Sequence, residues 1–161
     1  MQNKTQIIAE QGKQELFIIR EFDAPRGLVY KTFSEADLVT QWLGPKECKC
    51  EVEKHENKTH GSWRYLSVDQ HGNKVGFNGV IHEVCPPERI IRTFEFEGLP
   101  EKGHVSLEFL TLEVLPDNRT KIIIHVVFKS VMDRDGMVQS GMEKGVVESH
   151  QRLDELMEKL K

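Results

Sequence analysis

The sequence has little of three features that define large classes of protein. It has three cysteines in 161 residues, an odd number that does not suggest a disulfide framework. Its longest strongly apolar stretches, Leu16 to Ile19 and Ile122 to Ile124, are far too short to span a bilayer. Positive charge is not in excess, because 22 Lys and Arg face 26 Asp and Glu, a formal net charge of −4. These absences argue against a disulfide scaffold, a membrane-inserted protein and a nucleic-acid binder.

The N-terminal residues and the cysteine usage predict a reducing compartment, and the length of the chain predicts a single domain. Residues 1–13 contain no apolar segment typical of a secretory signal, so we expect a cytoplasmic protein. No repeat or Pro-, Gly- and Ser-rich linker divides the sequence, and 161 residues are the length of one ordinary domain. We therefore predict one domain over residues 1–161, in which the polar residues 1–13 are loose.

The first half of the sequence predicts one strand followed by two short helices. Leu16 to Phe22 is typical of a strand and ends at Asp23-Ala-Pro25. From Arg26 to Leu43 apolar residues recur every three or four positions, as in a helix, until Gly44-Pro45 stops the pattern. A break near residues 34–37 predicts two short helices rather than one.

The middle of the chain predicts six further strands joined by short turns. Turn residues separate the apolar runs, for example at 69–73 and 116–118. The predicted strands begin at Cys48, Ser62, Lys74, Arg89, Val105 and Lys121. Strands without intervening helices imply an antiparallel sheet, so the fold class is α+β with about seven strands. One long helix, from about Asp133 to Leu160, is predicted to cover the apolar face of the sheet.

No motif assigns a cofactor, metal or catalytic group. Cys48 and Cys50 share a strand face, but Cys85 and scattered histidines supply no second pair at zinc-binding spacing. The sequence has no nucleophile elbow and no phosphate-binding glycine loop. We therefore expect neither metal nor cofactor, and we interpret the cysteines as small core residues.

The final helix carries the strongest functional signal. Gly141 and Gly145 lie about one turn apart, with Ser149 one turn further on, and each interior glycine costs about 1 kcal/mol relative to alanine. This thin helix face would oppose an aromatic-rich sheet. Either bulky aromatic residues pack closely against the thin face, or helix and sheet enclose an apolar pocket for a small hydrophobic molecule. The pattern leaves both interpretations open.

The pocket interpretation defines a candidate set of ligand-binding residues. The set combines one tryptophan after the short helices, inward-facing sheet aromatics and the thin part of the final helix: Trp42, Trp63, Tyr65, Phe77, Phe94, Phe109, Gly141, Met142 and Gly145. Polar residues that could orient a ligand, or act as acid or base in an enzyme, are His82, His125, His150 and the hydroxyl of Tyr65. No spacing supports a particular mechanism, so no catalytic set is assigned.

Several segments together resemble a known family. Phe22-Asp-Ala-Pro-Arg26, Gln41-Trp-Leu-Gly-Pro45, Gly61-Ser-Trp-Arg-Tyr65 and Pro86-Pro-Glu-Arg89 occur in the order of the heat-shock protein 90 ATPase activator-like family, within the START-like (SRPBCC) superfamily. The resemblance extends from about residue 15 to 160. Where family members usually have Trp after the helix glycine, this chain has Val146.

The resemblance implies a helix-grip fold, in which a curved antiparallel sheet wraps around the C-terminal helix, with a cavity between them. Relatives include ligand carriers, cyclases and a co-chaperone domain. The resemblance does not choose among these functions. The leading hypothesis, based on the thin helix face opposite an aromatic sheet, is a protein that binds a small hydrophobic molecule without catalysis. The alternatives are a module that interacts with a chaperone, and a cyclase or hydrolase that acts inside the cavity.

Overall fold

The computed structural model describes residues 3–161. Eight strands are formed by Gln6–Ile8 (β1), Glu15–Phe22 (β2), Lys49–His55 (β3), Ser62–Val68 (β4), Lys74–Cys85 (β5), Arg89–Phe96 (β6), Val105–Leu115 (β7) and Arg119–Val127 (β8). Four α-helices are formed by Arg26–Ser34 (α1), Ala36–Val39 (α2), Val131–Gln139 (α3) and Met142–Leu160 (α4). The predicted pair of short helices after the first long strand is confirmed, with Glu35 between them in an extended conformation.

All eight strands belong to one antiparallel sheet in the order β1-β2-β8-β7-β6-β5-β4-β3. Strands β3 to β8 form a meander, because each pairs with the next strand along the chain, and β2 then pairs with β8. The α+β helix-grip class is confirmed, with eight strands rather than about seven. The additional strand is β1, whose Gln6 and Ile8 pair with Ile19 and Phe17.

The expectation that residues 1–13 are loose is therefore wrong over Gln6–Ile8. Three polar-flanked residues give too little alternation to predict a strand, and the exposed edge of β2 supplies the partner that fixes them. For Met1 and Gln2 the prediction lies outside the described residues.

The predicted long helix is two helices. Ser130 caps α3 by accepting a hydrogen bond from the Asp133 amide. Helix α3 ends before Gly141, which has a φ of 86° in the left-handed region that favours glycine. The chain therefore changes direction at Gly141, and α4 alone has 19 residues.

The C-terminal half of α4 packs against the sheet in a closed core. Leu153 is fully buried, as are Phe22 of β2 and Ile122 of β8 in the same cluster. The buried Arg20 of β2 bonds through both terminal nitrogens to the Asp154 carboxylate at 3.0 and 2.6 Å. This bidentate pair and the apolar contacts hold α4 across the inner face, meaning the side of the sheet that carries α4.

Two strands change their side-chain alternation part of the way along. In β3 the pairing with β4 shifts between Val52 and Lys54, and in β5 the pairing with β6 shifts between Ile81 and Glu83. Each irregularity inserts one residue and moves the following side chains to the opposite face. In β3 this places His55 on the inner face, opposite Trp63.

Candidate functional site: an apolar cavity under the last helix

A cavity of about 1020 Å³ lies between the N-terminal half of α4, helix α3 and the inner face of the sheet. Its walls are predominantly apolar and include side chains from β2 and from β4 to β8. The cavity reaches the surface beside α3, where the side chain of Met132 is 82% exposed. Protein interiors are normally packed without voids of this size. Of the two interpretations of the thin helix face, the structure therefore has the pocket and not the close packing.

Four of the predicted aromatic residues form one wall of the cavity. Trp63 and Tyr65 are buried neighbours on β4, with ring centroids 4.6 Å apart. Phe94 lies 6.0 Å from Trp63 and 5.5 Å from Phe77. Gly79 makes room for this wall, because a Cβ there would lie 2.5 Å from the Trp63 indole nitrogen and 2.0 Å from the Thr93 carbonyl oxygen.

Trp42 also lines the cavity, but its own contacts are those of a core residue. Its indole nitrogen donates a 2.8 Å hydrogen bond to the Thr32 carbonyl oxygen, and its ring lies edge-on to Phe33 with centroids 4.8 Å apart. Trp42 therefore joins α1 to the segment after α2 and presents one side of its ring to the cavity.

The placement of Phe109 in the cavity lining is wrong. Phe109 lies on the outer face of the sheet, where its ring is 5.8 Å from His125, and Phe17 stacks on the other side of the same histidine at 4.4 Å. Its neighbours Glu108 and Leu110 point inward instead. Strand β7 has large apolar residues on both faces, so alternation alone did not distinguish them.

The predicted helix residues are all at the cavity, in different roles. Gly141 forms the break between α3 and α4, while Met142 and Gly145 line the wall on α4. A Cβ added to Gly145 would meet only Pro45 at 3.9 Å, an ordinary contact. Ser149, one turn further along α4, is buried, and its hydroxyl accepts a 2.8 Å hydrogen bond from the Gly44 amide. Val146 also lines the cavity, at the position where family members usually have the larger Trp.

Two of the three candidate histidines lie outside the cavity. His82 is exposed, and His125 is on the outer face with its Nε2 2.6 Å from Glu15. His150 is buried at the cavity wall and is hydrogen-bonded to Thr5 at 2.7 Å. Burial, reinforced by the positive charge of Arg20, lowers the pKa of His150 to about 3. His150 is therefore neutral at physiological pH.

A histidine that sequence reasoning missed faces the cavity instead. His55 Nε2 lies 2.7 Å from the Ser34 carbonyl oxygen, and only an N–H can pair with a carbonyl, so Nε2 carries the proton. With the proton on Nε2, Nδ1 carries the lone pair of this tautomer, and the Tyr65 hydroxyl 2.8 Å away donates to it. Burial raises the pKa of Tyr65, although Arg92 opposes the effect. The hydroxyl oxygen of Tyr65 keeps its acceptor capacity.

Sequence reasoning also missed an ion pair on the inner face. Arg92 Nε donates to Glu108 at 3.1 Å, and the guanidinium lies over the Trp63 ring with 4.2 Å to the centroid. Burial would lower the pKa of Arg92, but the Glu108 carboxylate and the Tyr65 hydroxyl outweigh it and raise that pKa. A signal was available, because Arg92 alternates with inward Ile90 and Phe94.

The positions of the cysteines and acidic residues bear on metal binding. Within residues 3–161, no group of three His, Cys, Asp or Glu side chains is placed to hold a metal ion. Burial raises the pKa of the Cys50 thiol to about 11, so this cavity-lining cysteine is protonated at neutral pH.

None of the helices within residues 3–161 has the length and hydrophobicity that a membrane-spanning segment needs.

The fold and the cavity define a class: helix-grip proteins with an apolar space under the C-terminal helix. The model of one family, described as Activator of Hsp90 ATPase homolog 1-like protein, matches residues 23–158. The chain belongs to this family, which confirms the resemblance drawn from its short motifs. No curated protein matches the sequence.

Solved structures share the fold at low sequence identity. A protein from Arthrobacter aurescens is 22% identical, with a TM-score of 0.86 over 96% of this chain and 91% of its own. A protein from Rhodobacter sphaeroides is also 22% identical, with a TM-score of 0.85 over 95% and 97%. An AHSA1 protein from Silicibacter pomeroyi is 19% identical, with a TM-score of 0.73 over 91% and 99%. These likenesses establish the fold alone.

Proposed function

We propose that the protein binds a small hydrophobic molecule in the cavity between α4 and the inner face of the sheet. The observation that carries the proposal is the predominantly apolar space of about 1020 Å³, at the upper end of the volumes typical of small-molecule sites. Apolar walls offer water no hydrogen bonds, so an apolar ligand would be favoured over water in the cavity.

The distribution of polar groups supports a binding site rather than a defect in packing. The polar side chains of Tyr65, Arg92 and Glu108 meet on one wall of the cavity, opposite the apolar residues Met142 and Val146 of α4. A few grouped polar atoms in an apolar cavity orient a ligand by one end. The opening beside α3 offers a path of entry.

Gly145→Leu tests the proposal directly. The leucine side chain would extend from α4 beyond Pro45 into the space that we assign to the ligand. Binding of a hydrophobic probe such as 2-naphthol, measured by NMR shift mapping and calorimetry, should weaken at least about 10-fold. The melting temperature should stay equal or rise, because a better helix former replaces an interior glycine.

Gly27→Leu is the matched control. Gly27 is also in a helix, is exposed, and has nothing within 4 Å of an added Cβ, but it lies on α1 outside the cavity lining. This variant should leave probe binding unchanged. A clearly destabilised Gly145→Leu protein, or probes that shift only exposed loops in the unmodified protein, would contradict a ligand cavity and favour a collapsible interior.

The family match supports a second candidate, stimulation of a chaperone ATPase. The matched family is described by its likeness to an activator of Hsp90 ATPase, and here the support is that likeness alone. Measuring the ATPase rate of the chaperone with saturating amounts of this protein decides the point. Stimulation that survives Gly145→Leu would indicate a surface interaction independent of the cavity.

A further inference from the structure

The charged groups inside the cavity restrict which ligand it accepts. We propose that the ligand is an uncharged apolar molecule whose hydroxyl or carbonyl group bonds to the Arg92–Glu108 pair beside Tyr65. This inference rests on the proposed function, since it specifies the ligand of the same cavity.

The first step concerns net charge. Arg92 and Glu108 are the charged residues on the inner wall, and their formal charges cancel across a 3.1 Å contact. The other charged lining residues are at the rim or already paired: Lys144 and Glu101 have side chains 69% and 77% exposed, and Asp133 contacts His104 at 2.9 Å. A buried ion without an opposite charge is strongly disfavoured, and the inner wall offers none in excess.

The second step concerns unused hydrogen-bonding capacity. Arg92 has five N–H donors, of which Nε bonds to Glu108. The guanidinium lies over the Trp63 ring and beside the Tyr65 hydroxyl, to which it also donates, and Arg92 lines the cavity with donors beyond these two bonds. Glu108 accepts this bond through Oε1, and the Tyr65 hydroxyl donates its own hydrogen bond to His55 Nδ1, so the second Glu108 oxygen and the Tyr65 oxygen keep acceptor capacity. The wall therefore offers donors from Arg92 beside acceptors from Glu108 and Tyr65.

A hydroxyl group satisfies both kinds of partner at once, since it accepts from Arg92 and donates to Glu108 or Tyr65. A carbonyl oxygen satisfies Arg92 alone. A carboxylate would also accept from Arg92, but it would place a second negative charge next to Glu108, and an ammonium group would meet the charge of Arg92. The predicted order of affinity is therefore hydroxyl first, then carbonyl, with ionised groups last.

The test uses four probes that share one aromatic ring system: naphthalene, 2-naphthol, 2-acetylnaphthalene and 2-naphthoate, each titrated calorimetrically at pH 7. In the unmodified protein, 2-naphthol should bind about 10-fold tighter than naphthalene and tighter than 2-naphthoate. In Glu108→Gln the order of 2-naphthol and 2-naphthoate should reverse, because the charge of Arg92 is no longer compensated.

Glu97→Gln is the matched control. Glu97 pairs with Arg64 at 2.7 Å, and neither residue lines the cavity, so this variant removes a similar charge without changing the order of the four probes. The double variant Arg92→Met with Glu108→Leu keeps the apolar volume and leaves no unpaired buried charge, so it should fold. It should lose most of the preference for 2-naphthol over naphthalene, because Tyr65 is then the remaining partner of the three for the ligand hydroxyl.

The outcomes separate this inference from the proposed function. Equal affinities of the unmodified protein for naphthalene and 2-naphthol, or a preference for 2-naphthoate, would overturn the inference and leave a hydrophobic cavity. The same holds if Glu108→Gln leaves the order unchanged. Absence of binding by all four probes would overturn both the inference and the proposed function.

Discussion

The two halves of α4 face the same sheet, but only the C-terminal half packs against it without leaving a cavity. The C-terminal half, with Leu153, Leu156 and Met157, fills the space down to Phe22 and Ile122 and forms a closed core. The N-terminal half, with Gly145 and Val146, leaves a cavity of about 1020 Å³. Side-chain volume along one helix thus divides the interior into a closely packed part that provides stability and a part that stays open.

The largest expected effect is a difference between the two halves of α4 in the stability lost when a side chain is shortened. Leu153→Ala should cost about 3 kcal/mol of unfolding free energy, because Leu153 is 0% exposed and its removal leaves a void. Met142→Ala should cost about 1 kcal/mol, because Met142 borders space that is already open. Urea unfolding of both variants measures the difference. Equal losses would show that the cavity is closed in solution.

His150 lies between the two halves and gives a prediction about pH. Its folded pKa of about 3 is below the ordinary value of 6.5, so below pH 6.5 the unfolded chain binds a proton that the folded protein does not. Stability is therefore lost as the pH falls from 6.5 towards 3, by about 2 kcal/mol between pH 7 and pH 5. Urea unfolding at several pH values measures this loss.

His150→Gln is the control for that measurement, because it keeps a polar group near Thr5 that does not titrate. The difference in unfolding free energy between the two proteins should shrink as the pH is lowered. A constant difference across this range would mean that His150 is protonated as readily in the folded protein as in the unfolded chain.

A smaller effect is expected at the boundary between α3 and α4. Gly141 has a φ of 86° and nothing within 4 Å of an added Cβ, so Gly141→Ala is penalised through its backbone alone, by about 1 kcal/mol. Gly141→Asn should cost less, because asparagine tolerates the left-handed region better. Thermal unfolding measures both. If alanine and asparagine were equally neutral, the helix break would not depend on this conformation.

The smallest expected effect is on probe binding, and it compares an aromatic residue on the outer face of the sheet with one at the cavity wall. The ring of Phe109 stacks against His125 away from the cavity, so Phe109→Leu should leave probe binding unchanged. Phe94→Leu removes an aromatic ring from the cavity wall and should weaken binding of 2-naphthol a few-fold. Calorimetry of both variants provides the measurement. Equal weakening would contradict the assignment of Phe109 to the outer face.

Local patterns in the sequence determined most of the elements. The alternation of β4, β6 and β7 and the turn residues between them predicted these strands closely, because side chains of a strand point to opposite faces in a period of two residues. The same alternation placed Trp63 and Tyr65 on one face of β4, and the structure has both at the cavity. In β6 the same alternation puts the charged Arg92 between the inward residues Ile90 and Phe94.

Only the tertiary structure decided where alternation fails and whether the interior closes. The pairing shift in β3 moved His55 to the inner face, and the apolar residues on both faces of β7 concealed the position of Phe109. The choice between a packed interior and a cavity depended on the distance between α4 and the sheet. That distance is set jointly by the closed core around Leu153 and the helix break at Gly141, and no local pattern contains it, because it results from contacts between residues far apart in the chain.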